Sequence, residues 1–276
     1  MSDNPQRDQM ARLLRMGRAS WAAVGAVVLL APERVRALAR PALMRPDLDD
    51  AARAGLLYVV GLADAWCGDL VRGQLALGEA RDLAHRRGIL VLEGETTCLL
   101  GKVEALRGLD SARALLEQGR ALAARAGSEW IAGGYLECAV ALHLVAGDEE
   151  SSRAVLDVLV GHDGGLDSGL YWEYRYELAT LLARGGDVDG ATRLLEGTRP
   201  PPPGLPGFDA LGSWSEWIPA PDARRCAALE RAAVDLARPA ERLLSARLSW
   251  LVGRRHAERR RRVDAVRLLE QAAHGY

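Results

Sequence analysis

Amphipathic stretches follow one another along most of the chain, separated by short turns that contain glycine. No stretch shows the sustained period-two alternation of apolar and polar residues that indicates a strand. Successive turn glycines lie 40, 39 and 39 residues apart, which points to an internal repeat. The four turns are Gly68-Asp69, Gly108-Leu109-Asp110, Gly147-Asp148 and Gly186-Asp187. The pattern predicts an all-α chain built from helix pairs with a period of about 39–40 residues.

Each turn has a simple physical interpretation. Glycine takes the left-handed conformation just past the end of one helix, and aspartate then caps the start of the next. The two helices form an antiparallel hairpin that cannot bury its apolar face alone. Stacked hairpins bury a continuous core, so the chain is predicted to be an α-solenoid.

The repeats resemble the tetratricopeptide-repeat family. Gly61, Gly68 and Ala80 fall at the small positions of its motif, and Gly73 fills the small position of the second helix, matched later by Ala112, Ser152 and Ala191. The resemblance covers residues 50–197 and implies a right-handed solenoid. Most aromatic positions of the motif are aliphatic or polar here, and the period exceeds 34 residues. In that respect the chain is similar to the helical-repeat sensor regions of the maltose-regulon activator and related bacterial transcriptional activators.

The domain organisation follows from these patterns. We expect an N-terminal segment (1–17), repeats (18–197, with a degenerate first pair in 18–45) and a proline-rich loop (198–222). The loop contains Pro200–Pro203, and its two tryptophans are expected to dock on the solenoid. Three further helices (223–276) are predicted to continue or cap the repeats.

Composition and targeting signals limit the possible compartments and partners. The 276 residues carry a net charge of −1, which excludes a globally basic nucleic-acid binder. Four cysteines without metal-ligand or disulfide spacing favour a reducing cytoplasm. The apolar run 21–31 is too short to span a membrane. Its resemblance to a signal peptide is weakened by the charged residues of Pro32-Glu33-Arg34, which follow it directly.

Sequence motifs for catalysis are absent. We find no phosphate-binding loop, nucleophile elbow, dinucleotide fingerprint or histidine pair with metal-ligand spacing. We therefore expect no metal, no cofactor and no enzyme. A polar cluster assembled from several helices would leave no local motif, so an enzymatic function stays an alternative.

The resemblance also implies a set of binding residues, because the first helix of each pair lines the concave face in this family. Carried over, its groove positions are Tyr58, then Cys98 or Lys102, Glu137, Glu173 and Tyr176. The same first helices carry the carboxylates Asp64, Glu95, Glu104 and Glu177. Such a groove would suit a basic or amine-bearing ligand or a basic peptide. The alternative is that these charges only solvate the helix surface.

Aromatic residues are concentrated between Tyr171 and Tyr176, and two more, Trp214 and Trp217, lie in the loop. Two interpretations stay open: Tyr171, Trp172, Glu173 and Tyr176 pack against the tryptophans, or they form a binding surface with them. The second would give a small-molecule pocket closed by the loop, in a ligand sensor or a biosynthetic cyclase or isomerase.

A basic patch lies near the C-terminus and contains Arg254, Arg255, Arg259 and Arg262. It could contact phosphates or an acidic partner. However, Lys102 is the one lysine among 36 basic residues, so arginine at any position says little by itself. We expect the patch to be solvated or paired with carboxylates, and we do not expect nucleic acid as a partner. The leading hypothesis is a cytoplasmic, bacterial, non-catalytic adaptor that binds a protein or peptide and has a regulatory role.

Overall fold

The computed structural model describes residues 32–162, 172–198, 208–236 and 242–275. The expectations for residues 1–31 and for Tyr171, and those for the side chains of Trp172 and Glu173, lie outside the described residues. The described chain forms two compact units, unit 1 ending at Gly147 and unit 2 beginning at Asp148. The boundaries that the sequence suggests at residues 197 and 222 stay a prediction.

All regular structure in the described residues is helical, which confirms the all-α fold class. Unit 1 contains α1 (Pro32–Leu43), α2 (Asp50–Trp66), α3 (Leu70–Arg86), α4 (Leu90–Leu106), α5 (Ser111–Ala126) and α6 (Glu129–Ala146). Unit 2 contains α7 (Glu149–His162), α8 (Trp172–Arg184), α9 (Val188–Glu196), α10 (Phe208–Trp217), α11 (Ala223–Asp235), α12 (Arg242–Glu258) and α13 (Arg262–Gly275).

The glycine turns confirm the predicted period and divide it in two. All four predicted turn glycines have positive φ, the conformation that only glycine adopts at little cost. Two more, which the Gly-Asp pattern does not identify, end α3 and α5 about half a period away. The six are Gly68, Gly88, Gly108, Gly127, Gly147 and Gly186.

Three of the four predicted aspartate caps are formed. Asp69, Asp148 and Asp187 each accept a hydrogen bond from a backbone N–H three residues further on. Asp110 makes no such bond, because its backbone is already helical whereas a capping residue is normally extended. The extra residue in Gly108-Leu109-Asp110 therefore changes how α5 begins.

Small residues allow the helices of unit 1 to approach closely. A Cβ at Gly61 would lie 2.7 Å from Leu77 Cγ, which explains the small residue at this motif position. A Cβ at Gly101 would lie 2.6 Å from Cys138 Sγ. As a result α2 packs on α3, and α4 packs on both α5 and α6.

The proline-rich segment differs from the expected loop, because Phe208–Trp217 forms helix α10. Its apolar residues Leu211, Trp214 and Ile218 recur at intervals of three and four, and all three are buried in unit 2. The prolines and glycines that precede residue 208 hide this short helical period when the segment is taken as a whole. None of the described helices combines the length and the apolar character needed to cross a bilayer.

Candidate functional site

In unit 1, helices α2 and α4 are each left uncovered along one side. Between Ala54 and Trp66 of α2, only Leu62 and Trp66 are not buried. Between Gly94 and Leu106 of α4, only Leu99, Lys102 and Leu106 are not buried. Because these positions recur at intervals of three and four residues, they form a single strip on each helix. Both are first helices of their pairs, as the resemblance requires for a binding face.

Tyr58 and Glu95 lie on these strips but are buried. Tyr58 precedes Leu62 by four residues, and Glu95 precedes Leu99 by four, so both belong to the uncovered sides. The Tyr58 hydroxyl is hydrogen-bonded to the Glu95 carboxyl group and so connects α2 to α4. The residue Glu95 is only 6% exposed.

Lys102 and Glu137 extend the same group of polar residues onto α6. Lys102 Nζ lies 2.9 Å from Glu137 Oε2. Glu137 also acts electrostatically on Tyr58, so the two pairs are neighbours. We refer to Tyr58, Glu95, Lys102 and Glu137 as the polar row. The structure thus brings together the three groove positions predicted in unit 1 and Glu95, one of the carboxylates that the sequence places on the same first helices.

The protonation of Glu95 is unusual. Burial raises the pKa of its carboxyl group to about 8, while the hydrogen bond from Tyr58 acts in the opposite direction. Burial, together with Glu95, holds the pKa of Tyr58 well above its ordinary value. At neutral pH the pair is therefore a phenol beside a mostly uncharged carboxylic acid. Among the described residues, Glu95 Oε2 has no hydrogen-bond partner.

The other carboxylates noted on the first helices of unit 1 have different surroundings. Asp64 on α2 lies 2.7 Å from Arg36 and 2.9 Å from Arg40, both on α1. Glu104 accepts a hydrogen bond from Gln74 of α3, on the side of α4 that is covered. These contacts hold neighbouring helices together and do not belong to the strip.

Cys98 and Cys138 lie in the interior next to the polar row. Burial raises the pKa of the Cys138 thiol to about 12 and that of the Cys98 thiol further still. A buried, protonated thiol is a poor nucleophile. These cysteines therefore act as small apolar side chains where α4 and α6 meet.

In unit 2, Tyr176, Trp214 and Trp217 belong to the hydrophobic core. The rings of Tyr176 and Trp214 lie 5.4 Å apart between centroids, tilted by 43°. Trp214 donates to Thr180 Oγ1 at 3.2 Å and is 0% exposed, while Trp217 donates to Cys226 Sγ at 3.3 Å and is 4% exposed. These contacts correspond to the packing interpretation of the aromatic cluster.

The arginines of the C-terminal patch have partners within unit 2. Arg254 lies 2.9 Å from Glu149, and Arg255 lies 2.8 Å from Glu258. Arg259 donates to the carbonyl oxygen of Pro221 at 2.6 Å, whereas Arg262 is exposed at the start of α13. Arg254 and Arg259 thus connect α12 and its C-terminal end to other segments of unit 2, whereas the Arg255 pair lies within α12. The two ion pairs reduce the charge available for phosphates.

Glu177 of α8, a carboxylate on a first helix, pairs with Arg247 of α12; Glu177 is buried and the side chain of Arg247 is 12% exposed. Arg247 also lies over one side of Trp250, 4.3 Å from the ring centroid, and Arg254 lies 4.8 Å from the same centroid. This network neutralises Glu177 and stabilises the packing of α12.

Comparison with known proteins gives structural but not sequence relatives. No known protein family matches the chain, and no curated protein sequence matches it. The chain is similar to the Rap conjugation gene regulator of plasmid pLS20, solved in complex with the Phr* peptide, at 16% identity and a TM-score of 0.69, covering 91% of this chain and 71% of that one. It is also similar to a Rap protein complexed with Competence and Sporulation Factor, at 9% identity and a TM-score of 0.73, covering 95% and 73%. These similarities show the helical-repeat fold expected from the glycine spacing.

Proposed function

We propose that this chain is a non-catalytic regulatory protein that binds a peptide along the uncovered sides of α2 and α4 and the adjoining part of α6. The observation that carries the proposal is the polar row, which joins three first helices of unit 1. Binding there needs no cofactor, because recognition would rest on hydrogen bonds, charge and apolar contact.

The chemistry of the strips suits a peptide. Leu62, Trp66 and Leu99 offer apolar contact beside groups that can donate and accept hydrogen bonds. A peptide presents both kinds of group at short intervals, as well as charged termini. Lys102 offsets the charge of Glu137, but Glu95 can ionise beside a cation, so the strip favours a peptide that carries a basic group.

The structural neighbours support the proposal. One is a conjugation gene regulator bound to a peptide, and the other was solved with the factor it binds. A regulatory role of this kind also agrees with the resemblance to the sensor regions of bacterial transcriptional activators. We place the protein in the cytoplasm, and its four free, buried cysteines support a reducing compartment.

The alternative of a small-molecule pocket closed by Trp214 and Trp217 receives less support. Trp214 has no exposed surface that a ligand could touch, and Trp217 has almost none. Both indole N–H groups are already used inside unit 2. The two residues that motivated the pocket therefore stabilise the core instead.

A peptide-selection experiment tests the proposed function. The purified full chain is incubated with a pool of short random peptides, and retained peptides are identified by mass spectrometry. The variant Leu99→Arg places a large cation on the α4 strip and should weaken retention at least tenfold. The matched control is Leu75→Arg on α3, which changes a strongly exposed leucine elsewhere and should bind like the wild type. Equal retention by both variants would show that the strip is not the binding face, provided thermal melting shows both to be folded.

A further inference from the structure

Two buried glutamates of α4, Glu95 and Glu104, each keep one oxygen without a hydrogen-bond partner among the described residues. Glu104 accepts a hydrogen bond from Gln74 on the covered side of the helix, whereas Glu95 belongs to the polar row. Asp64 has two arginine partners and Glu137 has Lys102, whereas no basic side chain of the described residues forms an ion pair with Glu95. It is buried, lies on the uncovered side of α4 and keeps one oxygen without a partner. A buried, unsatisfied carboxyl group costs free energy, so its retention beside a proposed binding strip calls for a functional reason.

We infer that Glu95 anchors a cationic group of the bound peptide, either its amino terminus or a Lys or Arg side chain, and releases its proton when that group binds. In the empty protein Glu95 is a neutral acid hydrogen-bonded to Tyr58. In the complex it is a carboxylate paired with the cation, and the proton passes to the solvent. This inference rests on the proposed function, since it needs a peptide on this face.

The groups around Glu95 are consistent with such an exchange. Tyr58 from α2 stabilises the ionised form through its hydrogen bond. On α6, Glu137 lies 2.9 Å from Lys102, which offsets its charge. Cys98, on α4 itself, stays protonated. Burial is the main cause that opposes the ionisation of Glu95. A cation from the ligand would offset the free-energy cost of the buried charge.

The other helices described next to α4 show no charged contact with Glu95. α3 meets α4 on its other side, where Gln74 bonds to Glu104. α5 brings Leu115 and Gly119 close to Gly101 and Cys98, and these contacts are uncharged. The ionisation of Glu95 therefore depends on α2, α6 and the ligand.

Proton release has a measurable consequence for binding. Below the pKa of the empty site, affinity for a cationic peptide should rise with pH by up to about tenfold per pH unit. Above pH 8, where Glu95 is already ionised, the affinity should level off. Removing the proton-binding group should abolish this dependence.

The experiment begins with two pools of short random peptides that differ at one fixed position, arginine in one pool and its neutral analogue citrulline in the other. Retention of the arginine pool should exceed that of the citrulline pool. The best retained arginine peptide is then titrated calorimetrically at pH 6.5 in phosphate and in imidazole buffer, whose different ionisation enthalpies report the protons released. We expect about one proton per peptide for the wild type and close to none for Glu95→Gln.

Two further variants separate a role in binding from a role in folding. Glu117→Gln changes an exposed glutamate of α5 and should release protons like the wild type. Tyr58→Phe removes the hydrogen bond that lowers the pKa of Glu95, so the pH at which affinity levels off should move upward.

If Glu95→Gln releases as many protons as the wild type, or if the citrulline pool binds as well as the arginine pool, the inference is wrong while the proposed function stands. If neither pool binds at any pH, both are wrong.

Discussion

Lys102 Nζ on α4 lies 2.9 Å from Glu137 Oε2 on α6, and this ion pair connects the first helices of two successive repeats. The side chains are 20% and 27% exposed, so solvent screens the pair less than it screens a surface contact. Lys102 is also the one lysine of the chain. A flexible ammonium group can reach a single carboxylate oxygen without the planar geometry that arginine requires.

The first prediction concerns the strength of this pair. Lys102→Met and Glu137→Gln should each lower the free energy of unfolding, and the double variant should lose less than the sum of the two. We expect a coupling energy of about 1 kcal/mol, at the upper end for pairs near a surface. Urea denaturation of the four proteins measures it. Strict additivity would mean that the ion pair makes no net contribution to stability.

The second prediction uses the raised pKa of Glu95. A group whose pKa is raised from 4.5 to about 8 on folding contributes stability that is fully present below pH 4.5 and is lost as the pH rises through 8. Relative to Glu95→Gln, the wild type should therefore lose stability between pH 5 and 8, by at most about 1.4 kcal/mol per pH unit. Glu117→Gln should follow the wild type in the same denaturation series. A constant difference between wild type and Glu95→Gln would show that Glu95 is ionised throughout.

The turns and the proximity of the proposed groove positions could be predicted from the sequence because both depend on local spacing. A left-handed glycine such as Gly147 is required by the turn formed by its immediate sequence neighbours. The spacing between such glycines is therefore visible in the sequence. The groove positions of the repeat motif predicted Tyr58, Lys102 and Glu137 on successive first helices. The structure places these three side chains close together.

The properties of Glu95 and the position of Trp214 could not be predicted in this way. Burial of Glu95 results from coverage by α2 and α6, which are distant in sequence, and its pKa depends on that coverage. Whether Trp214 faces a ligand or the core depends on contacts with Tyr176 and Thr180, both more than 30 residues earlier in the chain. Local periodicity contains no information about either.

The third prediction concerns the packing of α4 on α6. Gly101→Ala would place a Cβ 2.6 Å from Cys138 Sγ and 3.2 Å from Leu115 Cβ, so the helices would have to move apart. We expect a loss of about 1–3 kcal/mol in unfolding free energy. The matched control is Gly78→Ala on α3, where a Cβ meets nothing within 4 Å. That substitution should stabilise the protein by about 0.5–1 kcal/mol because alanine is the better helix former. A gain in stability for Gly101→Ala would contradict the close packing.

The fourth prediction concerns the buried pair of Glu177 and Arg247. Arg247→Met leaves the buried carboxylate of Glu177 without its ion pair, so this variant should cost about 3–5 kcal/mol. Glu177→Gln should cost less, because Arg247 is partly exposed and stays over the Trp250 ring. The double variant Glu177→Leu with Arg247→Met buries no charge and should be more stable than either single variant. Thermal and urea denaturation of the full chain, followed by circular dichroism, measures the change. If the double variant is the least stable, the pair contributes more attraction than its burial costs.

The fifth prediction concerns Arg260, which follows α12 with φ of 60°, the only non-glycine residue with positive φ among those described. At the corresponding turns of unit 1 the chain uses glycine, because a Cβ in the left-handed conformation costs about 1 kcal/mol or more. Arg260→Gly should therefore stabilise the protein by about 1 kcal/mol, an unusual result for a substitution to glycine. Arg231→Gly, on an exposed position inside α11, should have the opposite effect and destabilise the protein by a similar amount. Chemical denaturation of the two variants side by side provides the test. Destabilisation by both would show that residue 260 does not hold the left-handed conformation in solution.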